Sequence, residues 1–186
     1  MRWWSALACN LLIACEQPVE DQPADGVSLP ALALCDPVRT WSQEAIDLEL
    51  ALTERIAAAR EQGASCGTAG ELPPAPALRR SGRLICAARL HSLDMAVREF
   101  VEHENPDALT PWDRMRAVEY ELATGDEAIA AGPFDVDDVV DEAWLARPGS
   151  CAAILADPYV HFGVGVHVDD ASAHGRYFTL LLGKPL

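Results

Sequence analysis

Apolar residues recur at helical spacing through Trp41, Ala45, Leu48, Leu52, Ile56 and Ala59. The spacing predicts an amphipathic helix over 41–61, closed by Gln62-Gly63. The stretch Gly67 to Ala77 contains Pro73-Pro74-Ala75-Pro76. Prolines lack the amide hydrogen a helix needs, so this stretch predicts an ordered crossing loop. Residues 81–101 carry two apolar stripes: Leu84, Ala88, His91 and Met95 on one, Cys86, Leu90, Leu93, Val97 and Phe100 on the other. A helix apolar on both sides is expected at the centre of a fold. Thr110-Pro111-Trp112-Asp113 reads as a helix start, with a hydroxyl cap, proline first and an acid third. Asp135 caps a further helix, with Val136, Val139, Val140, Ala143 and Trp144 on one face and Pro148-Gly149 as its stop.

Further along, the period changes to two. Val160, Phe162, Val164, Val166 and Val168 alternate with His161, Gly163, Gly165 and His167. After a polar turn through Asp169 to Gly175, Arg176 to Leu182 reads as a second strand, giving an antiparallel hairpin. Helices first and strands late make an α+β protein. No internal repeat and no phosphate-binding glycine loop is present.

Composition narrows the function. The 186 residues suit one domain with a sizeable core. Acids outnumber basic residues 29 to 14, for a net charge of -15, which excludes a general nucleic-acid binder because phosphates would go unneutralised. Met1-Arg2 is followed by an apolar run to Ala14 and then Cys15. The run is too short to span a bilayer, which takes about 20 residues, but suits a secretory signal. Leu12-Ile13-Ala14-Cys15 resembles the bacterial lipobox, in which cleavage before the cysteine frees a thiol that carries lipid. On that reading 1–14 is a signal peptide, Cys15 the lipid-bearing residue, 15–34 an acidic, proline-containing tether, and 35–186 the domain. Cys9 has too few residues before it to serve. Cys35, Cys66, Cys86 and Cys151 remain. An even number in an exported domain points to disulfides, and spacing does not choose among the three pairings.

A family resemblance is carried by several segments in order. "LICAARLHSLDMAVREF" (Leu84 to Phe100) is followed by Val101-Glu102-His103 and Pro111-Trp112-Asp113-Arg114. Then come "DEAIAAG" (Asp126 to Gly132), "AWLARPGSCAAIL" (Ala143 to Leu155) and "YVHFGVGV". Together they resemble a bacterial CAP domain, the SCP-like family of cysteine-rich secretory proteins, antigen 5 and pathogenesis-related proteins. The resemblance implies an α-β-α sandwich with an open cleft. It also suggests a pairing of Cys86 with Cys151, leaving Cys35 for Cys66.

The cleft of that family holds two histidines and acids, which bind a divalent metal in some members. His103 matches the first histidine and Glu127 the acid of the DEAIAAG segment. Ser150 stands at the second histidine and Arg147 near the second acid, while Ala128 and Glu119 replace an asparagine and a glycine. One histidine and one carboxylate make a poor site for zinc, so no metal or other cofactor is expected. The candidate cleft residues are therefore His103, Glu127 and Ser150. Two readings stay open. One is a membrane-tethered, non-catalytic module that binds a lipid, glycan, peptide or envelope protein. The other is a hydrolase, peptidase or esterase, using His103 and Glu127 and drawing on Ser150 as nucleophile. His91 reads as a core histidine, His161 and His167 as surface residues. Asp135, Asp137 and Asp138 are explained by the helix start they occupy. The expected location is the cell envelope, on the outer membrane or cell surface, with secretion or the periplasm as the alternative.

Overall fold

The computed structural model describes residues 26–186. The signal peptide, Cys15 and the segment up to residue 25 lie outside the described residues. From Ser28 the chain already packs on the domain: Arg39 donates to the Pro30 carbonyl at 2.6 Å, and Leu29 and Leu32 lie against the core. A 3-10 helical stretch, Ala33–Val38, then leads into α1 (Gln43–Gln62). The Ser42 hydroxyl accepts from the Ala45 amide to start α1, and Gly63 at φ 73 ends it. Beyond it lie the small hairpin of β1 (Ala64–Ser65) and β2 (Glu71–Leu72), then β3 (Arg79–Arg80) and α2 (Gly82–Arg98). The crossing loop between β2 and β3 is pinned by Arg60, which donates to the Pro76 carbonyl from Nε and Nη2.

Next comes α3 (Pro111–Ala117), where Thr110 and Asp113 cap each other reciprocally. The remaining elements are β4 (Leu122–Ala131), α4 (Val136–Asp138), α5 (Pro148–Ile154), β5 (His161–Asp169) and β6 (Gly175–Pro185). The helix expected after Asp135 begins as α4 and widens into a π-helical stretch, Val139–Leu145. Pro148, read as a stop, is instead the first residue of α5, where its fixed φ suits a helix start. The Ala-rich β4 has little of the β-branched signal of a strand, and periodicity did not reveal it.

One sheet organises these parts in the order β3-β5-β6-β4, with β3 parallel to β5 and the other pairs antiparallel. On one face Val164, Val166, Phe178, Leu180 and Leu182 pack with Leu52, Ile56, Trp144 and Ile154. This buries α1, α4 with its extension, and α5. On the other face Leu181 packs with Cys86, Ala87 and Met115, and Tyr177 and Ile129 pack with Met95, which buries α2 and α3. The architecture is the expected α-β-α sandwich. A buried ion pair joins its layers: Arg89 of α2 donates to both oxygens of Glu49 of α1, and Glu49 Oε1 also accepts from the Val166 amide at 3.1 Å.

Three expectations need correction. The disulfides are Cys35–Cys86 and Cys66–Cys151, with Cα separations of 5.7 and 5.5 Å. Cys86–Cys151 is excluded because α2 and α5 lie on opposite faces of the sheet, and Cys35–Cys66 falls with it. Each bridge instead stays within one face. Cys35 and Cys86 share a core cluster with Leu84, and Cys66 and Cys151 share another with Leu155. Secondly, α2 is not buried on both sides. Val97 is 70% exposed, because α2 forms an outer layer that no element fully covers. Thirdly, His161 is a structural residue: its Nδ1 meets Tyr120 Oη at 3.0 Å and its Nε2 meets Arg79 at 3.2 Å. His167 is half-buried beside the Trp41 ring.

Glu119, standing where the resembling family has glycine, sits at φ 57. A side chain there crowds its own backbone, and the exposed ion pair of Glu119 with Arg83 offsets little of that cost. Glu119→Gly is expected to raise stability by about 0.5–1 kcal/mol in urea unfolding.

Candidate functional site

Glu127 lies opposite Leu181 in the β4–β6 ladder, so its side chain points to the α2 face. The Glu127 side chain is only 1% exposed. Its Oε1 accepts from His103 Nδ1 at 2.8 Å, and its Oε2 accepts from Arg114 Nη2 at 2.7 Å. A buried carboxylate is tolerated only with such charge-assisted partners. Arg114 also donates to the carbonyls of His103 at 2.8 Å and Leu109 at 2.9 Å. One guanidinium thereby holds both the carboxylate and the loop that carries the histidine.

His103 is half open to solvent, and its Nδ1–H is spent on Glu127, leaving Nε2 without a hydrogen-bond partner among the described residues. That side chain lines a cleft of about 340 Å³ with Glu102, Ile129, Ala131, Phe134 and Arg147. Ser150, in the first turn of α5, does not line this cleft, and no hydrogen bond joins it to His103 among the described residues. The structure thus brings His103 and Glu127 together and leaves Ser150 apart. Arg114, present only as part of a family segment, is the member that the sequence did not reveal, because nothing local marks an arginine as buried. His91 is fully buried, as expected, and its Nε2 lies 3.9 Å from Glu127 Oε1.

The residues do not fit a divalent metal. Both Glu127 oxygens already accept strong hydrogen bonds, and a cation would have to compete with the Arg114 guanidinium. Arg147 adds a further positive charge to the cleft wall. No group of three or more His, Cys, Asp or Glu side chains placed to hold a metal occurs among the described residues.

The two histidines shift in opposite senses. The hydrogen bond to Glu127 holds His103 above its ordinary value of 6.5. Its contribution to stability is complete below about 6.5 and fades as pH rises through the higher folded value. Burial pushes His91 down to about 4. The unfolded chain takes up that proton first, so His91 costs stability as pH falls from about 6.5 to about 4. In an NMR titration, His103 is expected to titrate above 6.5 and His91 near 4. Glu127→Gln should bring His103 down, and an unmoved midpoint would contradict the assignment.

Comparison with known proteins agrees with this architecture. The chain is 32% identical over 92 residues to the uncharacterized protein YkwD of Bacillus subtilis (strain 168), a match covering 50% of this chain and 35% of that protein. The chain therefore spans about a third of the length of that relative. An outer surface protein from Borrelia burgdorferi superposes with a TM-score of 0.61 at 18% identity, over 79% of this chain and 97% of that one. An extracellular SCP-domain protein from Bacillus anthracis superposes with a TM-score of 0.56 at 21% identity, over 78% of this chain and 44% of that one. At those identities the likeness concerns the fold. Residues 55–182 match the cysteine-rich secretory protein (CAP) family, to which this chain belongs.

Proposed function

We propose that this protein is an exported, membrane-tethered CAP module that binds a partner through its cleft without catalysing a reaction. The observation that carries the reading is the closed hydrogen bonding of Glu127, whose two oxygens are taken by His103 and Arg114. A carboxylate so occupied holds the cleft wall in shape, and a metal would have to compete with His103 and Arg114 for its oxygens. The partner classes that suit such a cleft are a lipid, a glycan, a peptide or another envelope protein. Export is supported by two disulfides, which persist in oxidising compartments, and by the outer-surface and extracellular origins named for the structural neighbours. Tethering rests on the Leu12-Ile13-Ala14-Cys15 segment, and labelling with palmitate that disappears in Cys15→Ser would support it.

A hydrolytic reading draws on the 2.8 Å His103–Glu127 pair, which has the form of a base with its orienting acid. Among the described residues, no hydroxyl or thiol side chain is hydrogen-bonded to the His103 ring. Peptide and ester libraries are expected to show no turnover with the mature protein, and calorimetry no zinc binding tighter than high micromolar. Hydrolysis that vanishes in both His103→Ala and Ser150→Ala would replace the binding reading with the hydrolytic one.

A further inference from the structure

β4 is the last strand of the sheet, so one of its edges has no strand beside it among the described residues. In an antiparallel ladder alternate residues turn both backbone groups to the partner strand, and the residues between turn theirs away. The Gly132 amide donates to the Arg176 carbonyl at 3.0 Å, continuing the register that pairs Ala130 with Phe178 and Ala128 with Leu180. The even-numbered residues of β4 therefore face β6, and Gly125, Glu127, Ile129 and Ala131 turn N–H and C=O outward. Two contacts on the outer side agree. The Gly125 carbonyl accepts from Trp112 Nε1 at 3.0 Å, and the Glu127 amide donates to Asp126 Oδ1 at 2.8 Å.

Trp112 and Asp126 thus block the first half of this edge, as proteins commonly blunt an outer strand. The second half is open. Ile129 and Ala131 line the cleft, and their outward backbone groups have no hydrogen-bond partner among the described residues. Such an edge is a template for a further strand. It ends at Glu127, where His103 stands against the carboxylate at 2.8 Å. The ionisable residues lining the cleft are Glu102, His103 and Arg147, a basic excess in a chain whose acids outnumber its bases 29 to 14. The Arg147 guanidinium is exposed and makes no ion pair or hydrogen bond with a described residue. The hydrogen bond to Glu127 holds His103 above 6.5, which favours the proton that makes Nε2 a second donor. Two cationic donors suit a carboxylate.

We propose that the cleft takes the carboxyl-terminal end of an extended peptide, which adds to the β4 edge as an antiparallel strand beside Ile129 and Ala131 and sets its terminal carboxylate between His103 and Arg147. This rests on the reading of the cleft as a partner-binding site and narrows the partner to a polypeptide end. The blocked half of the edge gives the direction. A chain running antiparallel to β4 reaches His103 with its last residue, where Trp112 and Asp126 leave nothing further to pair with. Phe134 and Ala143, also lining the cleft, offer apolar contact to the peptide's side chains. A glycan or a lipid has no regular alternation of N–H and C=O to match the edge.

The test uses the mature protein with a library of short peptides fixed by their amino ends, the same library amidated at the carboxyl end, a glycan array and phosphatidylcholine vesicles. Free-acid peptides are expected to bind saturably, with amidation and Arg147→Glu each weakening binding by about tenfold or more. Arg147→Glu should leave thermal stability unchanged, because the guanidinium holds no other described residue. N-methylation along a bound peptide should abolish binding at every second residue only. In the complex the Ile129 and Ala131 amides should exchange with solvent about tenfold more slowly. Amidated peptides binding as tightly as their acids, with or without an internal Asp or Glu, would overturn the terminal carboxylate. An N-methyl scan without alternation, or unchanged exchange at both amides, would overturn the strand addition. Arg147-dependent binding to glycans or vesicles without any to peptides would overturn the peptide and keep the cleft as a binding site. Failure of every probe to bind would overturn both. Cleavage of bound peptides would overturn the non-catalytic reading and support their docking in the cleft.

Discussion

Gly165→Val is expected to destabilise the fold by more than about 3 kcal/mol, and Gly163→Val by a similar amount. A Cβ on Gly165 would lie 2.2 Å from the Arg89 amide nitrogen and 2.3 Å from the Ala88 carbonyl carbon. One on Gly163 would lie 2.2 Å from the Leu84 carbonyl carbon and 2.3 Å from the Ile85 nitrogen. These are backbone atoms of α2, so no rotamer change relieves the clash and the whole helix has to lift. Lifting α2 also strains the hydrogen bonds of Ser92 to the Gly165 carbonyl and to Thr179, both 2.8 Å, and the buried Arg89–Glu49 pair. Urea unfolding of the alanine and valine variants should give a graded loss. Gly149→Ala is the control: nothing lies within 4 Å of its added Cβ, and a helical alanine costs less than glycine. Gly165→Val with stability equal to the parent would show that α2 does not rest directly on β5.

Loss of either disulfide, by paired serine substitution, is expected to cost about 4 kcal/mol from loop closure alone. The bridges close loops of 51 and 85 residues, so Cys66→Ser/Cys151→Ser should cost slightly more than Cys35→Ser/Cys86→Ser. The consequences differ by location. Cys35–Cys86 ties the amino-terminal arm to α2. Cys66–Cys151 ties the loop after α1 to α5, which directly follows Arg147 of the cleft. Peptide mapping without reduction should recover these two linkages. Recovery of a Cys86–Cys151 peptide would contradict the placement of α2 and α5 on opposite faces.

Elements whose signal is local were legible. The Trp41 to Ala59 spacing produced α1 and the Thr110-Pro111-Trp112-Asp113 cap produced α3, because capping and amphipathic periodicity act within a turn or two. His103 and Glu127 were legible through ordered family segments, and they meet at 2.8 Å. The wide turn after α4 and the strand β4 were not, since both depend on packing against the sheet rather than on their own residues. Arg114 escaped for the same reason. Its burial follows from a carboxylate that is close in space but belongs to another strand.

By itself, the sequence determined the α+β order, the acidic exterior and the family's ordered segments, all written in short-range pattern and composition. Only the tertiary structure decided which cysteines meet, which face of each element is covered, and what the alternating glycines of β5 do. Val164 and Val166 announced a buried face, but Gly163 and Gly165 look polar or neutral in a pattern of two. They are buried because α2 lies against their backbone. That contact, like the pairing of the cysteines, depends on layers brought together from distant parts of the chain, and local periodicity carries no record of it.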